Sequence, residues 1–380
     1  MKIKQQHFVQ DKWIEKSSDT HFNDNKAQLV FAFGSGRIIA NKELFEHLKD
    51  IYPAANIVCA STAGEIINDD VVDNSVVVTA IEFEKTKLKC VETNIHVHEN
   101  SFEAGKYLMQ QINTDDLVGI FIILDGTKIN GSSLVSGLNE NNNKQVPVTG
   151  GLAGDAASFS KTYVGLNNAP AEGNIVAVGF YGRHLKIGHG SFGGWDEFGR
   201  ERIITKSDKN ILYEIDGRNA LELYKEYLGP YAAELPGSAL LFPLSLKIED
   251  PAITLVRTIL SIDEKEKSMT FAGNLPEGSK VRLMKANLDK LIDASSSAAK
   301  QALKNQTQLP QLALLISCVG RRLILQERSY EEIQAAKNIF GDATHIGGFY
   351  SYGEICPYNQ NISCELQNQT MTITTFTEII

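Results

Sequence analysis

The chain has 380 residues, of which 43% are hydrophobic and 22% charged, with a formal net charge of -9. This is long for one core, so two domains are expected, and the acidic balance argues against a nucleic-acid binder, which would carry a basic face. No run approaches the ~18 consecutive apolar residues that a membrane span needs, and the start, MKIKQQHFVQDKW, has no signal-peptide apolar stretch.

The five cysteines (Cys59, Cys90, Cys318, Cys356, Cys364) are odd in number and sit in or beside apolar runs. That pattern fits reduced thiols in a cytoplasm better than a disulfide framework. The absence of CxxC and HExxH leaves an ordinary zinc site without support.

Residues 1–26 are polar and read as a surface strand or tail. Leu29 to Phe33 is a buried strand running into Gly34-Ser35-Gly36-Arg37, and Asn41 caps a helix with Leu44, Phe45, Leu48 and Ile51 on its apolar face. A strand from Ile57 to Cys59 leads to Gly64-Glu65. Ser75 to Phe83 and Leu88 to Ile95, joined by the charged link Glu84 to Lys87, read as a hairpin. Ser101 is placed to cap a helix through Ile112. A second round gives the strand Leu117 to Leu124, a helix with Leu134, Val135 and Leu138, and the strand Val146 to Thr149. Ile175 to Tyr181 and Leu185 to Phe192 read as a second hairpin. The polar stretch Phe198 to Asp216 reads as a domain linker, followed by a helix that stops at Gly229. Strands are expected at Ala239 to Leu246, Ile253 to Ile262, Ser268 to Ala272 and Val281 to Met284. Asn287 caps a long helix, Leu312 to Cys318 is a buried strand, and Ser329 with Glu332 has the spacing of a capping box. Thr370 to Phe376 is the last strand.

Three corners share one pattern: CASTAGEI (Cys59 to Ile66), VPVTGGLAGD (Val146 to Asp155) and GGFYSYGEI (Gly347 to Ile355). Each runs from an apolar strand through small residues to Gly and a carboxylate. Tight turns at strand ends favour Gly, and loops at the carboxyl ends of strands are where ligands collect in α/β sheets. Residues 29–83 and 312–376 also share an order of elements, with Gly36-Arg37 matching Gly320-Arg321 and Gly64-Glu65-Ile66 matching Gly353-Glu354-Ile355. Residues 117–181 follow the same plan. The reading is an internal duplication, with equivalent corners placed about a pseudo-twofold axis.

These motifs, with the junction ILYEIDGRNALELYKEYLG (Ile211 to Gly229) and CVGR (Cys318 to Arg321), resemble the FIST family from about Lys26 to Tyr358. The resemblance implies an N-terminal FIST domain at 27–216 after a tail at 1–26, and a FIST C-terminal domain at 217–380. It implies a bacterial, cytoplasmic, sensory protein of signal transduction that binds a small molecule, amino acids having been proposed for the family. It is expected to report to a separate signalling protein, because the two domains use up the length. The fold expected is mixed α/β: two related domains with mixed sheets packed face to face and helices outside.

An amino acid needs a cation for its carboxylate and an anion for its ammonium. Arg37 or Arg321 is expected to take the carboxylate, and Glu65, Asp155 or Glu354 the amine. Ser61, Thr62, Tyr350 and Tyr352 are expected to supply hydroxyls and an apolar wall. The competing reading makes each Arg a structural clamp on a corner carboxylate. No enzyme activity, catalytic residue, metal or cofactor is expected, and neither nucleic acid nor membrane insertion. Two alternatives stand beside this reading. One is a haem-based gas sensor with noncovalent haem and an axial His96, His98, His184 or His189. The other is a hydrolase or transferase using Cys59 or Cys318 with His345 or His189 as base. Ligand, partner and oligomeric state are not legible at this level.

Overall fold

The strand Leu29–Gly34 lies parallel to Asn56–Ser61 and antiparallel to Val76–Glu82. The same triplet recurs as Leu117–Leu124 with Val148–Leu152 and Asn174–Tyr181. It recurs again as Leu312–Cys318 with His345–Ser351 and Met371–Glu378. The structure, a computed structural model, describes residues 1–379 apart from 143–144, 248–253, 305 and 359–362. In each triplet a helix makes the parallel crossover: Lys42–Ile51, Gly131–Glu140 and Ser329–Phe340. Each triplet also carries an outer antiparallel strand, which is Lys2–Val9, Lys87–Asn94 or Leu185–Phe192. The expected polar tail therefore includes a strand of the first sheet, paired on its far side with Lys12–Ser18.

What joins the triplets is a short arm that leaves each corner for a neighbouring sheet. Glu65–Ile67 pairs with His345–Ser351, Glu354–Pro357 pairs with Val148–Leu152, and Val164–Leu166 pairs with Asn56–Ser61. The exchange is cyclic: the first repeat feeds the third, the third feeds the second, and the second feeds the first. Three six-stranded sheets result. The repeat is thus triple and its joining cyclic, which replaces the expected duplication about a twofold axis. Because the arms and the strand Leu185–Phe192 carry residues across the expected boundary, that boundary at 216/217 does not divide the sheets.

The inner faces of all three sheets meet in one core. Phe31 meets Phe121 at 5.2 Å, Phe33 meets Phe349 at 4.7 Å, and Phe180 meets Phe376 at 5.1 Å between ring centroids. Each contact joins a different pair of sheets. Strands buried on both faces read as continuous apolar runs, which is why these strands were legible. The outer faces are covered by helices, with Leu44 and Leu48 on the first sheet. Leu108, Leu134, Ala298 and Ile333 belong to a second outer cluster. The mixed α/β architecture with sheets facing one another and helices outside is as expected.

The described residues of 196–285 form a separate lobe with its own sheet and its own core, including Leu212, Leu221, Tyr224 and Leu283. The stretch expected as a linker is part of it: Asp196–Asp208 and Ile211–Ile215 are paired strands. The charges misled because the strand is half solvated, with buried Arg202 and Ile204 set among half-buried and exposed neighbours. The strand expected from Ile253 begins outside the described residues; Thr254–Arg257 and Ile259–Asp263 are its described parts.

Neither expected hairpin forms. Val76–Glu82 pairs within the first sheet and Lys87–Asn94 within the second. Asn174–Tyr181 and Leu185–Phe192 likewise belong to different sheets. The first link is held from outside: Glu378 accepts from the backbone N–H groups of Glu84 at 2.9 Å, Lys85 at 2.9 Å and Thr86 at 2.8 Å. Burial alone would push the Glu378 carboxyl up, but the Glu84 and Lys85 amides, the Thr86 hydroxyl and the N-terminal ammonium outweigh it and hold it at about 2. Those amides satisfy their hydrogen bonds without a hairpin ladder. The expected capping box also fails. Glu332 turns inward instead of reaching back to Ser329, and Arg328 occupies the cap position. Asn41 and Asn287 cap their helices as expected, whereas the helix from Ser101 is capped by Asn100.

Candidate functional site

The three corners hydrogen-bond to one another in a ring. Ala63 N donates to Tyr350 O at 2.8 Å, Gly154 N to Ser61 O at 2.9 Å, and Leu152 N to Gly353 O at 2.8 Å. Gly64 has φ +129, and a Cβ there would overlap the Arg322 guanidinium, so this corner requires glycine. Beside the ring, at the carboxyl ends of the parallel strands Leu29–Gly34 and Asn56–Ser61, lies a cleft of about 460 Å³. That volume falls in the range of small-ligand sites.

Its walls come from two repeats. The first supplies Arg37, Thr62, Glu65, Asp73 and Asn74. The second supplies Asp155, Ser158, Lys161 and Tyr163 on the loop after its corner. Ser61 lies behind the wall and ties that loop down: its Oγ accepts from Tyr163 N at 2.9 Å, and its own N donates to Tyr163 O at 2.8 Å. Asp155 Oδ2 accepts from the N–H groups of Ser160 at 2.9 Å and Lys161 at 2.7 Å, and Tyr352 donates its hydroxyl to Oδ1. Phe159 stacks on Tyr352 with centroids 4.5 Å apart.

The charges are unevenly matched. Asp73 is neutralised by a two-point pair with Arg322, which also donates to Ala63 O at 2.6 Å. Arg37 is exposed and, among the described residues, makes no hydrogen bond or ion pair. Glu65 is 1% exposed, and its carboxyl accepts from the hydroxyls of Thr62 at 2.6 Å and Ser75 at 2.7 Å. Burial pushes it up to about 7, the two hydroxyls opposing the rise.

Arg321, Tyr350 and Glu354 lie outside this cleft, which corrects their expected role. Arg321 is fully buried, with Nη2 2.7 Å from Glu332 Oε2, and it donates to Gly193 O at 2.7 Å and Leu291 O at 2.6 Å. It is a clamp, as the competing reading held, but its partner is Glu332 rather than a corner carboxylate. Tyr350 is buried and donates to Glu332 Oε1 at 2.7 Å. Glu354 accepts from Ser351 Oγ at 2.8 Å and from Thr370 Oγ1 at 2.8 Å, and burial pushes it up to about 7 as well. Tyr352 touches the cleft through Asp155 and Ala156, to whose carbonyl its hydroxyl lies 3.3 Å away. Lys161, Asp73, Asn74 and Tyr163 were not foreseen. Lys161 and Tyr163 reach the cleft through the packing of the second repeat on the first, and Asp73 and Asn74 through the turn that brings the first repeat's arm back to its sheet, which no motif marks as a site.

Glu65 and Glu354 have a common consequence. A carboxyl with a folded pKa near 7 and an unfolded one near 4.3 prefers its neutral form in the fold. The folded protein is therefore penalised as pH rises from about 4.5 through 7, by up to roughly 3 kcal/mol per group. Melting temperatures at pH 5 and pH 8 should differ less in Glu354→Gln than in the parent, and less again with Glu65→Gln added. An unchanged difference in the double variant would refute this.

Burial pushes the thiols of Cys59 and Cys90 up to about 12, and raises Cys318, Cys356 and Cys364 further. His345 binds Ser17 and Asp19, not a cysteine. His189 lies 4.0 Å from Cys356 rather than beside Cys59 or Cys318. Neither this cleft nor the cavity beside it is lined by His96, His98, His184 or His189.

Cyclically joined βαβ repeats with a polar cleft at the carboxyl ends of a parallel strand pair define a class of α/β protein. The chain belongs to the FIST family: the FIST N domain matches residues 28–218 and the FIST C domain residues 220–357. FIST domains are associated with sensing in signal transduction. The chain is also similar to an uncharacterized protein of Methanocaldococcus jannaschii, 23% identical over 323 residues, covering 77% of this chain and 60% of that protein. It thus spans about three fifths of that relative's length. Among the described residues no helix is long and apolar enough to cross a membrane.

Proposed function

We propose that this protein binds a small zwitterionic metabolite, an amino acid or a close derivative, in the cleft between the first two repeats, and reports its presence to a separate protein. The observation that carries the reading is Arg37, an exposed guanidinium without a partner among the described residues, lining the same cleft as the corner carboxylates Asp155 and Glu65. Arg37 takes the ligand carboxylate, for which a guanidinium fork is suited. Asp155, oriented by two backbone amides and Tyr352, takes the ammonium. With Asp73 already paired to Arg322 and Lys161 lying 3.6 Å from Glu172, Arg37 and Asp155 remain as groups of opposite sign lining one cleft, which suits a ligand carrying both signs. The ligand is held rather than turned over, a reading supported by the raised thiols. All five cysteines are free, which supports a reducing, cytoplasmic setting.

The test is native and then denaturing mass spectrometry of the purified protein, followed by titration of the released compound. Arg37→Ala should weaken binding about 10- to 100-fold, the worth of a charged hydrogen-bonded contact, and Asp155→Asn should do likewise. Neither should move the melting temperature by more than a degree or two. Unchanged affinity in both variants would sink the assignment, and a released haem would replace the ligand class.

A further inference from the structure

A second cavity of about 570 Å³ adjoins the cleft, and Arg37 and Asn74 line both. Its chemistry is different. The first cleft is lined by small, polar and charged groups together with Tyr163. The second has aromatic side chains, Phe8 and Trp13 from the outer strands, which with Ile38 and Leu44 make an apolar wall, and the polar Asp11, Asn41 and Glu43 also line it. Trp13 is held in place by two rings: it stacks on His47 with centroids 5.2 Å apart at 26°, and meets Phe8 at 5.0 Å. A half-buried indole fixed beside an unpaired guanidinium is a surface for a flat ring attached to a charged head.

We propose that the ligand is an amino acid with an aromatic side chain, its zwitterionic head in the first cleft and its ring in the second cavity against Trp13. This rests on the zwitterion reading above and adds the side-chain specificity. Arg37, lining both cavities, sits where head and ring would join, so it can hold the carboxylate while the side chain passes beside Asn74. Ring-on-ring contact adds to simple apolar burial, so an aromatic side chain gains more here than an aliphatic one of similar area. The matching positions of the other two repeats are packed against the protein's own side chains. In the third repeat Arg321 is buried against Glu332, and a Cβ on Gly320 would meet the Gln369 side chain. In the second repeat Tyr352 packs against Gly126.

Calorimetric titration with L-phenylalanine and L-alanine tests both levels. In the parent protein phenylalanine should bind at least tenfold more tightly than alanine. Trp13→Ala should bring the ratio to within about threefold, Trp13→Phe should preserve it, and Arg37→Ala should weaken both ligands together. In a Trp195→Phe background, leaving Trp13 as the indole reporter, phenylalanine should change the emission more than alanine does. Two amino acids bound with equal affinity, or a ratio that survives Trp13→Ala, would overturn the aromatic specificity while leaving the head reading intact. Binding of neither amino acid would overturn both.

Discussion

Arg321→Ala should destabilise the protein by about 3–5 kcal/mol, the cost of leaving one member of a buried ion pair without its partner. Arg321 and Glu332 are both fully buried. Glu332 also accepts from Ser317 Oγ at 3.0 Å and Tyr350 Oη at 2.7 Å, so its carboxylate has nowhere else to turn. Removing the guanidinium strands that charge in the core and frees the carbonyls of Gly193 and Leu291. Urea denaturation measures the effect. Replacing both partners together, as in Arg321→Met with Glu332→Leu, should recover much of the loss, because no charge is then left unpaired. Arg37→Ala provides the contrast: an exposed side chain without a partner should change stability by less than about 0.5 kcal/mol. Two arginines that occupy matching places in two repeats thus separate into one that holds the fold and one that is available to a ligand.

Gly348→Ala should cost about 4 kcal/mol or prevent folding. Gly348 has φ +152, and a Cβ there would overlap the Leu315 carbonyl oxygen on the neighbouring parallel strand. The obstacle is backbone in the middle of a sheet, so no side chain can swing away to relieve it. Overpacking and an unfavourable φ each cost about 1–3 kcal/mol, and here they act together. Gly150 stands in the matching place in the second repeat, with φ +143 and the Ile122 carbonyl oxygen in the way, and its alanine variant should behave alike. Gly341, φ +74 with open space around it, separates the two causes: Gly341→Ala should cost only about 1 kcal/mol. Equal losses at Gly341 and Gly348, measured by thermal denaturation, would show that overlap contributes nothing.

Much of the fold was legible in the sequence. The buried strands announced themselves as continuous apolar runs, since both of their faces are covered. Asn41 and Asn287 marked helix starts because a short polar side chain can accept the first free N–H groups. The three Gly-carboxylate corners were recognisable, and they do converge, because a tight turn at a strand end demands glycine wherever it occurs.

The tertiary structure decided where each strand goes and what each charge does. Adjacent β segments in the chain, such as Val76–Glu82 and Lys87–Asn94, suit a hairpin locally, yet they enter different sheets because Glu378, from the far end of the chain, satisfies the link between them. Gly-Arg reads the same at Arg37 and Arg321, but only Arg321 has a buried Glu332 opposite it. Lys161 and Trp13 join the cavities around Arg37 from distant parts of the chain. Local pattern determined which residues form strands, caps and corners, since those depend on neighbours in sequence. Which arginine is free, and what surrounds it, depends on the cyclic exchange of arms among the three repeats, and no local pattern encodes that.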